Sequence, residues 1–541
     1  MMINDVSRAY FYAKAVRDLY IELPAEDPEA SPDMLGKLNV CLYGTRDAAK
    51  CWQTTLSNQL ITLGFIRGKG HPSVFWHPTR DIRTLVHGDD YVSSGDKEDL
   101  RWMEEGLAKS YKIKTQLLGM ETGQMLEGKV LNRVLRCDER GWHMEADPRH
   151  AELMVEQLGL QSAKSSMVPG SDGKEEEDRE DDTDLVGEEA TNFRRVAARG
   201  IYLAMDRPDL QFPVKDICRE MSSPTTGSLR RLMKCGRYIK GKPRLVWNFM
   251  MQDETEGVNI FTDSDWAGCR RSRKSTFGGA IRVGQHTIKT WSKTQSIVAT
   301  SSAEAELYAV VRGACEGLGM QALLEDFGAK AEMRIHLESS AAQGILDRQG
   351  LSKVRHIDVN ILWLQEQCAK DILPLEKIKG TVNPADLMTK NLSTQVASDH
   401  CDSMNLEFEQ GRAQTAAKLH AIGRRMRQEE ANEKLQSVSI EKWDNCGGDA
   451  WRNRGDEGVW CRIHRTPRRA MFTPYRVARG PSMKSTLMST RTTTGVTASG
   501  QKFTISDNFK NPKNAHMLLF EEWTGTTTFR AAPRITSTGR S

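Results

Sequence analysis

Residues 174–189 (KEEEDREDDTDLVGEE) hold ten acids against two bases. A run this charged cannot bury enough apolar surface to fold alone. It therefore reads as a break in the 541-residue chain, which is expected to fold as several modules rather than around one core. At about 100–200 residues per module, three or four are expected. The remainder can support them, with 38% hydrophobic and 27% charged residues. The net charge of +4 conceals an asymmetry, because residues 411–541 carry 23 Lys and Arg against 11 acids. That balance suits contact with nucleic acid or an acidic partner, and suits a plain solvated surface equally. No stretch of about 18 apolar residues exists, so no membrane span is expected. Charges interrupt the apolar residues of the first twenty positions, which do not read as a secretory signal. Eleven scattered cysteines without a CxxC pair fit a reducing compartment. The expected location is intracellular, cytoplasmic or nuclear. Neither a Walker-type phosphate loop nor a dinucleotide GxGxxG is present, which moves ATP-driven and nicotinamide chemistry down the order.

The expected fold class is α/β (α+β). Residues 1–130 read as mixed α/β, with a mostly periodic segment from Asp5 to Leu19 and a strand–turn–strand at 82–95 (IRTLVHGDDYVSSG). Residues 131–250 follow, interrupted by an acidic linker at 171–190, and 191–250 read as helices, the first ended by Pro208. Residues 257–392 change to a hairpin followed by alternating helices and strands. A charged helical linker is expected over 393–449 and a small, basic, β-rich module over 450–541.

The chemistry concentrates in 257–392. Asp263 follows the strand-like run Val258–Phe261, and the runs Gly279–Val283 and His286–Trp291 flank Gly284-Gln285 as a hairpin. Ser301 and Glu304 are spaced as a capping box, with Glu306 on the first turn of the helix they open. The strand Met333–Leu337 ends at Glu338, and Asn383-Pro384-Ala385-Asp386 opens a last short helix. Any one acid reads equally as a solvated side chain, and Glu304 as a cap. Four carboxylates gathered at element ends cannot all stay ionised unless cations neutralise them. Two Mg²⁺ ions about 4 Å apart would do so and would suit phosphodiester chemistry.

FTDSDWAGCRRSRKSTFGG, KTWSKTQSIVATSSAEAELYAV, KVRHIDV and NPADLMTK together resemble the RNase H domain of Copia-type retrotransposon polyproteins. The resemblance implies an RNase H-like mixed sheet with helices. It puts the catalytic and metal-binding acids on Asp263, Glu306, Glu338 and Asp386. It implies two Mg²⁺ ions, with Mn²⁺ able to substitute. The third acid of that family is normally Asp; here it is Glu338, one methylene longer. His356, in the His-Ile-Asp segment, reads as a proton shuttle or as a packing residue.

DVSRAYF (5–11), LYGTRDAAKCW (42–52), LGF (63–65) and Gly88-Asp89-Asp90 resemble the reverse transcriptase of the same polyproteins. Read alone, Gly-Asp-Asp is also simply a good turn. The resemblance puts the polymerase's catalytic, metal-binding acids on Asp5, Asp89 and Asp90, again with two ions. It puts nucleotide-site positions on Tyr10, as the aromatic that excludes a 2′-OH, and on Gly44. YLAMDRP (202–208) and RRLMKCGRYIK (230–240) resemble the thumb and connection between the two enzymes. The expectation is a partial palm over 1–130 without fingers, a thumb/connection-like region over 131–250 and an RNase H-like domain over 257–392. Gly88 stands where that family usually has a bulky aliphatic residue, and Ala49 where it has Pro.

Arg270, Arg271, Arg273 and Lys274 form a basic loop near Asp263. In the tail, Arg465, Arg468 and Arg469 interleave with aromatics, a pattern suited to phosphate pairing and base stacking. The resulting expectation is a polyprotein fragment with an impaired RNA-directed DNA polymerase and an RNase H acting on RNA–DNA hybrids. Its partners would be hybrid and template–primer nucleic acid. The second reading is a catalytically inactive nucleic-acid-binding remnant.

Overall fold

The computed structural model describes residues 1–23, 34–170, 182–252, 257–348, 350 and 359–416, with five short strands between 450 and 505. The first module contains β1 (Met2–Val6), β2 (Tyr20–Glu22), β3 (Met34–Leu38), α1 (Ala48–Thr62), β4 (Ile66–Arg67), β5 (Val74–His77), β6 (Ile82–His87), β7 (Asp90–Ser94), α2 (Lys97–Ala108) and β8 (Ile113–Leu117). Its main sheet is antiparallel in the order β4-β5-β6-β7-β1-β8. β1 is interior, so Met2, Ile3, Asn4 and Val6 are buried and Asp5 alone reaches partly into solvent. Trp52, Leu56 and Leu60 of α1 and Leu100, Met103 and Leu107 of α2 close the core over Met2, Val6, Phe75, Ile82 and Tyr91. The periodic segment after Asp5 forms one 3-10 turn at Ala9–Tyr12, entered through Arg8 at φ 61° and ended where Ala13 becomes extended.

The second module contains β9 (Glu127–Val130), β10 (Arg133–Asp138), β11 (Gly141–Ala146), α3 (Arg149–Gln157), α4 (Gly187–Ala204), α5 (Pro208–Cys218), α6 (Thr226–Gly241) and β12 (Arg244–Met250). The helical reading of 191–250 therefore holds only to Gly241; its last seven residues are a strand that pairs with β11. Residues 171–181 of the acidic run lie outside the described residues. The rest of the run is structured: Asp182 accepts hydrogen bonds from Gly227 N at 2.7 Å and Thr226 Oγ1 at 3.0 Å. Glu188 and Glu189 fall in the first turn of α4, where acids oppose the positive end of the helix dipole.

Asp147 is the buried anchor between β11 and α3, at 1% exposure. Burial pushes its carboxyl up, but hydrogen bonds from Arg149 and Lys129 outweigh burial and hold it at about 2. A carboxyl depressed on folding stabilises the fold above its unfolded value, near 4, and loses that contribution as pH falls toward the folded value. Asp147→Asn is therefore expected to cost about 2 kcal/mol at pH 7, with the gap to the parent closing between about pH 5 and pH 2. Urea midpoints measured across that range check it.

The third module contains β13 (Val258–Ser264), β14 (Thr276–Val283), β15 (His286–Thr294), α7 (Ser302–Asp326), β16 (Met333–Leu337), α8 (Ser340–Leu346), α9 (Val359–Ala369) and β17 (Leu375–Lys377). The sheet order is β15-β14-β13-β16-β17. The β13–β14–β15 pairs are antiparallel and β13, β16 and β17 run parallel. The hairpin turns at Gly284-Gln285 as its spacing predicts. α7 lies close on β13 because Gly313 has no Cβ; one would stand 2.5 Å from Thr262 Cγ2. At the far end of α7, Asp326 accepts backbone N–H bonds from Lys69 and His71 at 2.7 Å each, tying this module to the first.

The segment after 392, expected to be a charged helical linker, begins instead with α10 (Thr394–Ser403) and β18 (Leu406–Glu409). β18 returns to pair with β12 and completes the sheet β18-β12-β11-β10-β9, where Arg244 bridges Glu145 and Glu409. Residues 417–449 lie outside the described residues. In the tail, 450–452 pairs with 460–462 and 493–496 with 502–505, while Phe472–Arg476 pairs with β3. No helix among the described residues is long and apolar enough to cross a membrane.

Candidate active site

β13 ends at Asp263 and Ser264, and β16 ends just before Glu338. The two strands are parallel neighbours, so these acids emerge at the same edge of the sheet. Asp386 comes to them on a 3-10 turn at Pro384–Met388. Asn383 holds that turn in place. Its Oδ1 accepts from Ala385 N at 3.2 Å, while its Nδ2 donates to Thr262 O and to Glu338 Oε1, both at 3.0 Å. One fully buried amide thus joins the strand carrying Asp263, the acid after β16 and the turn carrying Asp386.

One carboxylate oxygen from each of Asp263, Glu338 and Asp386 lies within 4.8 Å of the others. No other trio among the described residues is drawn together in this way. Glu306 stands beside them on the first turns of α7. It is 8% exposed, and its buried Oε2 has no hydrogen-bond partner. Burial first, then the charges of Asp263 and Glu338, push its carboxyl up to about 8. Burial and Asp263 push Asp386 up to about 6. Lys390 Nζ lies 2.7 Å from Asp386 Oδ1 and 3.5 Å from Asp263 Oδ2, and the Thr389 hydroxyl donates to Asp263 Oδ2. The arrangement is a partly buried cluster of carboxylates with Lys390 set against two of them.

Glu338 fits through a compensation on the neighbouring loop. A Cβ at position 380 would stand 2.6 Å from Glu338 Oε2, so Gly380 leaves room for the longer side chain. The cap at α7 is half of what the spacing suggests. Ser301 Oγ accepts from Glu304 N at 3.2 Å, but Glu304 Oε2 accepts from Thr300 N and Oγ1 instead of closing the box.

The second set of expected acids sits at one edge of the first module. Asp5 and Asp90 are directly paired across β1 and β7. Asp89 sits with Gly88 (φ 64°) in the two-residue turn before β7, and Trp52 Nε1 donates to Gly88 O at 2.8 Å. Burial, then Asp89 and Asp5, raise Asp90. Tyr10 lies 4.4 Å from the Tyr43 ring, next to Gly44 at φ 85°. Asp89 adds to the burial that raises both tyrosines. These positions are neighbours, but the three acids do not form a converged trio. Asp5 Oδ2 is instead paired with Lys114 Nζ at 3.2 Å.

Of the expected basic contacts, Arg270, Arg271 and Arg273 are exposed and Lys274 is half-buried, on the loop between β13 and β14. Arg465, Arg468, Arg469 and His356 lie outside the described residues. From the sequence Asn383 reads only as the opening of a short helix, and Thr389 and Lys390 carry no signal of their own, although all three lie in the motif NPADLMTK; Gly380 lies three residues before it.

Residues 2–133 match the family model described as reverse transcriptase (RNA-dependent DNA polymerase). The chain is 25% identical over 401 residues to the retrovirus-related Pol polyprotein from transposon RE1 of Arabidopsis thaliana, covering 72% of this chain and 26% of that one. It is 25% identical over 404 residues to the polyprotein from transposon TNT 1-94 of Nicotiana tabacum, covering 71% of this chain and 29% of that one. The chain thus spans about a quarter of the length of the curated relatives it matches. Among solved structures, a foamy viral protease–reverse transcriptase in complex with RNA/DNA hybrid aligns over 70% of this chain and 44% of that one, at a TM-score of 0.38 and 10% identity.

Proposed function

We propose that this relative of the Pol polyproteins of Copia-type retrotransposons, which aligns with them over 72% of its length, hydrolyses the RNA strand of an RNA–DNA hybrid at the Asp263 centre. The observation that carries the reading is the convergence of Asp263, Glu338 and Asp386 within 4.8 Å beside the unpartnered oxygen of Glu306. An all-oxygen donor set of this kind fits a hard divalent cation such as Mg²⁺ or Mn²⁺ and not zinc. Asp263, Glu338 and Asp386 would hold the ions, with Glu306 completing the set. Bound ions of this class activate a water nucleophile and stabilise the leaving oxygen of a phosphodiester.

The chain's own residues set the geometry. Asn383 orients Glu338 and fixes the turn bearing Asp386, and Thr389 orients Asp263. Lys390 adds a positive charge between Asp263 and Asp386, where a phosphate would otherwise be repelled. The exposed arginines of the β13–β14 loop supply phosphate contacts of a sequence-independent kind.

The room left by Gly380 supplies a test specific to Glu338. Gly380→Ala is expected to lower hybrid cleavage between about 10- and 100-fold, because an ångström of displacement in a catalytic group has effects of that size. Thermal stability should hardly change, since the clash falls on the end of a flexible side chain. Adding Glu338→Asp should restore cleavage in the Gly380→Ala background. Equal losses in the single and double variants would remove Glu338 from the proposed site.

The palm's role in this proposal is to bind template–primer, with Asp5, Asp89, Asp90, Tyr10 and Gly44 as its nucleotide-facing positions. Lys114 lies 3.2 Å from Asp5 on an exposed surface, where an ion pair is weak and competes with any cation that Asp5 would hold. Primer extension on a homopolymer template by the full chain, with and without Lys114→Ala, tests it.

A further inference from the structure

The acidic centre accounts for charge but not for the apolar surface beside it. Trp266 lies three residues after Asp263, at most about 10 Å along the chain, and is 55% exposed. It is the only tryptophan among the exposed large apolar side chains of the described residues. Tryptophan is highly buried on average, so an indole that stands open to solvent while its own hydrogen bond fixes its pose presents a contact face. Here the single polar atom is used internally, since Nε1 donates to Ala299 O at 3.2 Å. Ala299 belongs to the loop that runs into α7, where Glu306 sits. The indole therefore bridges the two chain segments that bear Asp263 and Glu306, and it leaves ring surface open to solvent.

The backbone around it is built for that pose. Asp265 Oδ1 accepts from Thr276 N at 2.6 Å, which closes the base of the loop. Ala267 takes φ 54° and donates its N–H to Ser275 Oγ at 2.9 Å. A left-handed conformation at a residue with a Cβ is costly and persists where surrounding bonds impose it. Beyond it, Arg273 N donates to Cys269 O at 2.7 Å, so the loop folds back as a tight arginine-rich turn. Arg270, Arg271 and Arg273 are exposed on that turn. One rigid loop thus offers an aromatic face and a cationic edge, next to carboxylates that a polyanion could approach only with cations bound.

We infer that Trp266 is a nucleic-acid contact residue whose indole face packs on a nucleotide of the hybrid, while the Arg270–Arg273 turn engages the flanking phosphates. This rests on the proposed function, because it takes the hybrid as the ligand of the Asp263 centre. The charge of the turn selects a polyanion over an apolar protein segment. Removing one stacked aromatic typically weakens nucleic-acid binding by an order of magnitude. It should leave the salt dependence unchanged, because no phosphate contact is lost.

The test uses the full chain carrying Asp263→Asn, so that binding is read on an intact substrate. Anisotropy of a labelled RNA–DNA hybrid is followed across a salt series. Trp266→Ala and Trp266→Leu are expected to weaken binding about 10-fold at every salt concentration, and Trp266→Phe to stay within about threefold of its parent. Arg271→Ala should weaken binding and flatten the salt dependence. In the chain with Asp263 restored, Trp266→Leu should raise KM more than it lowers kcat. Unchanged binding by a folded Trp266→Leu chain overturns the inference and leaves the indole face to another partner. A flattened salt dependence in Trp266→Leu overturns it too. If the parent binds hybrid through Trp266 but never cleaves, the inference stands and the hydrolytic function falls. If the parent cleaves and Trp266→Leu keeps the parent KM, the reverse holds.

Discussion

A full chain carrying Asp263→Asn is expected to bind an RNA–DNA hybrid and to leave its RNA strand intact. Asp263 is the most enclosed of the clustered acids, at 2% exposure, and its Oδ2 receives both the Thr389 hydroxyl and the approach of Lys390. Asparagine keeps the shape and removes the charge. Partners that merely orient a metal ligand typically matter 10- to 100-fold, so losing a ligand carboxylate should cost more than about 100-fold in cleavage rate. The fold should not suffer. Asp263 is one of the charges that raises Glu306 and Asp386, so its removal relieves repulsion among buried acids. The unfolding midpoint is expected at or above that of the parent. A variant that cleaves at the parental rate, measured on a gel with labelled RNA, would remove Asp263 from the chemistry.

The second large effect concerns stability. Arg207 is 1% exposed and forms a two-pronged ion pair with buried Asp209, at 2.9 and 2.7 Å. The same guanidinium donates to the carbonyls of Lys242 and Pro243, and Tyr238 Oη donates to Asp209 Oδ2 at 3.0 Å. The start of α5 is thereby pinned to the end of α6 and the lead into β12. Trp247 of β12 adds a bond from Nε1 to Asp206 O at 2.8 Å. Arg207→Ala leaves a buried carboxylate without its cation, which typically costs about 3–5 kcal/mol. That is a large part of the 5–15 kcal/mol by which a domain is usually stable. The expected result is a sharply lower urea midpoint and poor soluble yield. Arg207→Met combined with Asp209→Leu should recover part of the loss, because no charge is then stranded. If Arg207→Ala unfolds like the parent, the pair does not hold α5 in place.

The elements were legible where the signal is local. The hairpin at Gly284-Gln285, the cap by Ser301 and the strand running into Asp263 depend on neighbours a few residues apart, and each appears where its pattern put it. The acids of the third module could be named because they lie at or near element ends and because the resemblance to RNase H sequences sets them apart from neighbours such as Asp265 and Glu304. What could not be read was how they are held. The bond from Asn383 to Thr262 joins positions 121 residues apart, and the fit of Glu338 depends on a glycine from a different loop. β18 was lost in a charged stretch because Leu406-Glu407-Phe408-Glu409 is too short an alternation to stand out. Its partner β12 lies over 150 residues away, where Arg244 meets Glu409. In the first module, Gly-Asp-Asp marked the turn, but nothing local indicated that Lys114 on β8 would take hold of Asp5.

The most direct measurement is cleavage by the full parental chain, with Mg²⁺ and then Mn²⁺, of one labelled RNA annealed either to DNA or to complementary RNA. The expected result is cleavage of the RNA in the hybrid, abolished by Asp263→Asn, with the RNA duplex left uncut. No cleavage by the parent or by Glu338→Asp, from samples shown to be folded, would contradict it.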